Sequence, residues 1–157
     1  MPFRILGLPL QRFAPLFALD DDALAARGAC WVTATSDHGY PCRVSLRDAA
    51  AGERVLLLPY EHFAADSPYR ASGPIYVRRE AQPVQLAVDD VPDYVRRRLI
   101  SLRAYDERHR MVAAEVCPGD DVAAQIERLL ARDEVRTLHL HNAKPGCYSC
   151  RVERVAA

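Results

Sequence analysis

Hydrophobic and polar positions change rhythm several times along this chain, and the rhythm predicts the elements. In "TLHLHN" the leucines Leu138 and Leu140 alternate with Thr137, His139 and His141, the period-two signature of a strand with one apolar face. "FRIL", "ACWVTATS", "PIYVRRE", "VQLAV", "LISLRAYD", "MVAAEV" and "CYSCRVERV" read the same way, being rich in β-branched and aromatic residues and bounded by turn formers. Cys42, Val44 and Leu46 alternate with Arg43, Ser45 and Arg47, which predicts a further half-buried strand. "ERVLLLPYEHF" has a continuous apolar centre, as a strand covered on both faces would.

Three stretches switch to helical spacing. "LDDDALAARG" offers Asp20 or Asp21 as N-cap and Gly28 as a stop, and "VPDYVRRR" predicts a helical turn with Pro92 in an early position. "DDVAAQIERLLARD" places Val122, Ile126, Leu129 and Leu130 on one face, with Asp120 as its expected cap. Strands joined mostly as hairpins, with helices set apart in sequence, predict an α+β fold: a mostly antiparallel sheet with two to three short helices packed on it. No repeat or linker interrupts the pattern, so residues 1–157 are expected to form a single globular domain.

Length and charge narrow the function classes. A chain of 157 residues buries roughly 70% of its unfolded surface, enough for a core without staples. Its 21 basic residues balance 21 acidic ones, which argues against nucleic acid as a partner, because phosphate neutralisation carries most of that affinity. "YVRRRLISLRAYDERHR" concentrates positive charge but carries its own acidic residues. No apolar run approaches the roughly 18 residues of a membrane span, and the N-terminal stretch lacks a secretory signal layout. Five cysteines, an odd number, read as reduced thiols, and the expected location is the cytoplasm.

The final hairpin carries the first candidate chemistry. A loop of about five residues, 142–146, would pair His141 with Cys147 and His139 with Ser149, placing all apolar residues on one face. The other face becomes a wall bearing Thr137, His139, His141, Cys147, Ser149 and Arg151. A thiol beside two imidazoles is the material of a nucleophile and its base, so Cys147, His139 and His141 are the candidate catalytic residues. The same groups suggest zinc held by His139, His141 and Cys147. Alternation opposes a four-ligand site, since Cys147 and Cys150 point opposite ways on a regular strand; no residue is assigned as a metal ligand, and the cofactor is left open.

The second candidate is "SPYRASGPIYVRRE", residues 67 to 80. Turn formers account for Pro68, Gly73 and Pro74. Tyr69, Arg70, Ser72 and Arg78 remain, hydroxyls and guanidiniums of the kind that hold a carboxylate or phosphate through forked hydrogen bonds. His62 precedes the loop and Asn142 opens the last turn, and both join the candidate ligand-binding set. A bridge from Arg70 to Glu61 or Asp66 is the structural alternative.

The segments "GYPCRVSLRDAAAGERVLLLPYEH", "SPYRASGPIYVR" and "HNAKPGCY" make the chain similar, over nearly its whole length, to a bacterial family known as domain of unknown function 1203. The resemblance implies a bacterial protein of this size and carries no activity, cofactor or catalytic residue with it. It sets Tyr69, Arg70 and Ser72, and His141, Asn142 and Cys147, within the family's motifs. Cys150 departs from the pattern, where a small non-thiol residue is commoner, which further weakens the metal reading.

The leading expectation is a protein that binds a small anionic molecule where the segment from Tyr69 to Arg78 meets the polar face of the last hairpin, with Cys/His chemistry as an extension. The alternative is a non-catalytic interaction module, a homodimer joined through exposed strand edges.

Overall fold

The alternating stretches fold into ten strands shared equally between two sheets, as seen in a computed structural model that describes residues 1–156. The first sheet has the order β1 (Phe3–Leu6), β10 (Tyr148–Arg154), β9 (Thr137–Asn142), β7 (Leu99–Tyr105) and β8 (Met111–Pro118), all antiparallel. The second has β2 (Cys30–Thr33), β5 (Arg54–Phe63), β6 (Ala71–Arg78), β3 (Pro41–Cys42) and β4 (Arg47–Asp48), with β3 parallel to β6. The helices are short: α1 (Asp21–Ala25), α2 (Asp93–Arg96) and α3 (Val122–Leu130). The fold is α+β and mostly sheet.

One face of the first sheet is apolar and covered by helices. Ile100 and Leu102 of β7, Leu138 and Leu140 of β9, and Cys150 and Val152 of β10 share a core with Val122, Ile126, Leu129 and Leu130 of α3. Tyr94 and Val95 of α2 complete it. Each such side chain contributes about 1.5–3 kcal/mol by leaving water. The opposite face carries His139, His141, Tyr148 and Tyr105, and the far end of β5 from the second sheet reaches it through His62 and Phe63. A second core lies against the second sheet, from Phe13, Leu24, Leu56, Leu58, Ile75 and Val77.

Most predicted elements are present, and α1 is capped as expected, Asp20 accepting from the Ala23 amide at 2.8 Å before Gly28 ends the segment at φ 70°. Three differ. Residues 43–46 form a tight turn rather than a strand, with Leu46 amide bonded to Cys42 carbonyl at 3.0 Å and Leu46 at φ 52°. Their alternation is misleading because all four side chains are buried, Arg43 and Ser45 included. "VQLAV" forms no strand: only Leu86 of its apolar positions packs on the core, while Val84 and Val88 stay exposed. Asp120 lies in a 3-10 turn ahead of α3 and caps nothing, the N-cap position passing to Asp121.

Gly7 shows how closely the two sheets approach. A side chain there would put Cβ 2.7 Å from the Val44 carbonyl oxygen, so only glycine lets the chain leaving β1 press on the 43–46 turn.

Truncating a residue shared by the sheet and α3 should show that this packing is one cooperative core. Leu140→Ala is expected to lower unfolding free energy by about 2–5 kcal/mol in a denaturant titration, with no change in the slope of the transition.

Candidate functional site

Two strand bulges build the site. In β10, Tyr148 pairs with His141 and Cys150 with Leu140, leaving Ser149 as an extra residue; in β5, Glu61 pairs with Ser72 and Phe63 with Ala71, leaving His62 extra. A bulge reverses the side assignment of everything before it. Tyr148 therefore joins Arg151, the partner of His139, on the imidazole face, while Cys147 is turned away from it. The expected wall is corrected accordingly: Ser149 bonds the Tyr94 hydroxyl at 2.7 Å, and the thiol of Cys147 lies against Arg43 at 3.1 Å and Asn142 at 3.5 Å. Cys147 has neither imidazole as a hydrogen-bond partner, so the combination of Cys147 with His139 and His141 as nucleophile and base is not formed.

The imidazole that does join the pair is His62. Its ring stacks on Tyr148 at 5.5 Å and 8°, and meets His141 edge-on at 4.9 Å and His139 at 6.0 Å. One nitrogen from each of the three rings lies within 4.8 Å of the other two. His141 is held by the Gly146 carbonyl, which accepts from Nδ1 at 3.1 Å. A carbonyl can only accept, so the proton is on Nδ1 and Nε2 keeps its lone pair. Gly146 reaches the required backbone conformation at φ 80°, which disfavours other residues.

Burial dominates the electrostatics of this cluster. It drives His139 down to about 3, helped by repulsion from His141, His62, Arg151 and Arg103, and it drives His141 to about 3 against the opposing pull of the Gly146 carbonyl. His62 is shifted the same way, by burial and then by Arg103. All three rings are neutral at neutral pH, the state in which imidazole ligates metals or accepts a hydrogen bond. Beside them lies a cavity of about 190 Å³, lined among others by Arg12, Tyr60, His62, His139, Tyr148 and Arg151.

A larger cavity, about 550 Å³, opens on the other side of the β10 start. Its floor is Arg43, 1% exposed, which donates from Nε to the Tyr148 carbonyl at 2.7 Å, from Nη1 to the Pro41 carbonyl and from Nη2 to the Cys147 sulfur. Among the described residues no carboxylate pairs with it. Arg97, Arg98, Lys144 and His38 surround the opening, with Asn142, Tyr76 and Cys147 between them and no acidic residue in the lining. Arg98 is itself neutralised by Asp48 at 2.6 Å.

The segment from Tyr69 to Arg78 stands apart from both cavities except at Pro74 and Tyr76. Arg70 forms a forked pair with Glu61 at 3.0 and 3.1 Å, the structural alternative foreseen from the sequence. Arg78 is buried and bonded to Glu53 and Ser45, so it ties the second sheet together. Tyr69 packs edge-on against Tyr105 at 6.3 Å, and Ser72 is exposed on β6 opposite Glu61. Of the expected ligand-binding residues, Asn142 reaches the larger cavity and His62 the smaller.

Arg43 and Tyr148 were missed by pattern reading, Arg43 because alternation assigned it to a solvated face and Tyr148 because an uninterrupted strand assigns it to the apolar one. The signal that could have found Arg43 is its place inside the first segment of the family likeness. A family described as protein of unknown function (DUF1203) matches residues 39–154. The chain belongs to that family. No curated protein and no solved structure matches the chain. The matched span of this DUF1203 protein contains Arg43, His62, His139, His141 and Cys147, so the larger cavity falls largely within it, while the smaller one is completed by residues before it, Leu6 to Pro9 and Arg12.

The buried imidazoles make stability depend on acidity. In the unfolded chain each ring titrates near 6.5, while in the folded chain His139 and His141 resist protonation down to about 3. Between these values the unfolded state holds more protons, so stability falls as pH falls, by roughly 2 kcal/mol per ring at pH 5. With a chelator present, wild-type protein should lose stability between pH 7 and 5. His139→Gln should show a shallower loss over the same range, measured by denaturant unfolding at each pH.

Proposed function

We propose that this protein binds a small molecule bearing a carboxylate or phosphate group, seated on Arg43 in the larger cavity. The observation that carries the reading is a fully buried guanidinium with no carboxylate partner among the described residues. Taking an arginine out of water costs several kcal/mol unless an opposite charge compensates it. Arg43 has five N–H groups, and its partners among the described residues, two carbonyls and a thiol, take three of them. The remaining donors suit an anionic oxygen, and a forked contact with a planar or tetrahedral anion is what a guanidinium does best.

The rest of the lining supports the same ligand class. Arg97 and Lys144 are exposed in the lining, where they would draw an anion in, and among the described residues the Arg97 side chain is hydrogen-bonded to the His38 ring alone, at 3.3 Å. Leu57, Pro41, Pro74, Pro145 and Leu99 supply apolar walls, so the ligand has a hydrocarbon or ring portion as well as a charged end. Cys147 and Asn142 lie where the charged end would sit, and any chemistry at Cys147 would use Arg43 and Asn142 as its anion-stabilising neighbours. We infer a bacterial cytoplasmic setting, supported by the five free cysteines. A concave basic cavity favours this reading over a module that docks a protein through a flat face.

Thermal-shift and calorimetric titration with a panel of phosphate- and carboxylate-bearing metabolites tests the proposal. At least one class should raise the melting temperature in a saturable way. Arg97→Ala and Lys144→Ala should each weaken that binding by roughly tenfold while leaving the melting temperature of the free protein unchanged. In a Cys30→Ser background, the same ligand should slow alkylation of Cys147, and Arg70→Ala should affect neither measurement. Absence of any saturable shift, or equal labelling with and without ligand, would overturn it.

A further inference from the structure

The three imidazoles use no part of the larger cavity, and their surroundings point to a separate ligand. Each ring leaves a buried nitrogen without a hydrogen-bond partner: Nδ1 of His62, Nδ1 of His139 and Nε2 of His141. Three orphaned acceptors or donors in one cluster are costly, since each lacks the partner it had in water. His139 is 5% exposed and His141 fully buried, so bulk water does not supply it. The nearest chemically matched explanation is a single electrophile shared by all three.

We propose that His62, His139 and His141 form a three-nitrogen site for a divalent transition metal ion of the zinc type, with its remaining coordination position open to the smaller cavity. Three protein ligands with an open position is the arrangement of catalytic rather than structural zinc. Imidazole also suits cobalt, nickel, copper and iron, and the donor set contains no thiolate to select against them. Nitrogens around a tetrahedral zinc stand about 3.4 Å apart, given metal–nitrogen distances of about 2.0–2.1 Å. The three candidate atoms lie within 4.8 Å of one another, a spread that modest rotation of the rings closes.

The outer contacts fit as well. His141 donates Nδ1–H to the Gly146 carbonyl, the bond that fixes the tautomer and aims Nε2 inward in metal-ligating histidines. Tyr148 stacks on the His62 ring and stands edge-on to the other two, holding all three planes. Compared with the zinc alternative that the sequence suggested, His139, His141 and Cys147, His62 stands in place of Cys147. The lining of the smaller cavity contains Arg12 and Arg151 and no carboxylate. Bound metal would therefore carry an anion in its open position, hydroxide or a small exogenous anion, in a cavity whose lining includes Arg12 and Arg151, the latter ion-paired with Glu153 at 2.7 Å.

Metal binding by the full chain, without a histidine tag, tests this directly. After chelator treatment the protein should take up one equivalent of Zn(II) or Co(II). The cobalt form should show the visible absorption of a tetrahedral nitrogen-rich site with no thiolate charge-transfer band, and azide should perturb it. His62→Gln, at a partly exposed position, should remain folded by circular dichroism and bind at least about tenfold more weakly, whereas His109→Gln at an exposed position should bind as wild type. No stoichiometric uptake, a thiolate band, or full affinity in folded His62→Gln would each overturn the proposal. None of these results depends on whether the larger cavity binds an anion, because Arg97→Ala leaves the imidazoles untouched.

Discussion

A buried guanidinium ties the two sheets of this molecule together at the start of β10. Arg43 sits in the 43–46 turn of the second sheet and donates into the first residues of β10 in the first sheet, through the Tyr148 carbonyl and the Cys147 sulfur. The Arg43 carbonyl in turn accepts from Leu8, on the strand exit that Gly7 allows to come close. Without that anchor the start of β10 would keep only ring packing across the sheets, Tyr148 against His62 and Tyr60. A buried charge in this position is unfavourable in isolation, and its three geometrically defined acceptors offset part of that cost, which is how it specifies one arrangement of the turn.

The same anchor divides the interior. Tyr148 is held by its main chain on Arg43 and sends its ring toward the imidazoles, while Cys147, one residue earlier, faces the larger cavity. Two sites of different character thus share one short stretch of backbone. One is basic and apolar-walled, suited to an anion; the other is three neutral imidazoles with unpaired nitrogens, suited to a cation. A ligand that pulled on Arg43 would act on Tyr148, and through its ring on His62.

Bulges explain why both sites exist where hairpins alone would make a plain sheet. Ser149 in β10 and His62 in β5 are each an extra residue, and so is Val112 in β8, opposite Tyr105 of β7, whose ring stacks on Phe63 at 4.1 Å and stands edge-on to His139. Each inserts one residue and re-aims the side chains beside it. Together they turn aromatic rings inward around His139 and leave room beside them. The loop from 64 to 70 serves this frame: Ser67 donates to the His109 carbonyl at 2.6 Å, clamping the β5–β6 connection to the β7–β8 turn.

The order and type of most elements followed from the sequence by itself, because period-two and period-3.6 patterns respond to burial on one face, and burial is a local property of each element here. "TLHLHN" told which residues of β9 share a face, and the apolar stripe Val122, Ile126, Leu129 and Leu130 told which side of α3 is covered. The family likeness rested on linear motifs and was equally accessible. Tertiary structure decided the sites. Whether the returning strand carries an extra residue depends on what packs beyond it, so Ser149, Tyr148 and Cys147 could not be assigned to faces by alternation. Likewise, an arginine flanked by cysteine and valine reads as solvated until a second sheet closes over it, and His62 lies 77 residues before His139 with no local signal linking them. Only the packing of one sheet on the other, with the main-chain acceptors that packing brings to Arg43, determines where charge and imidazole are buried.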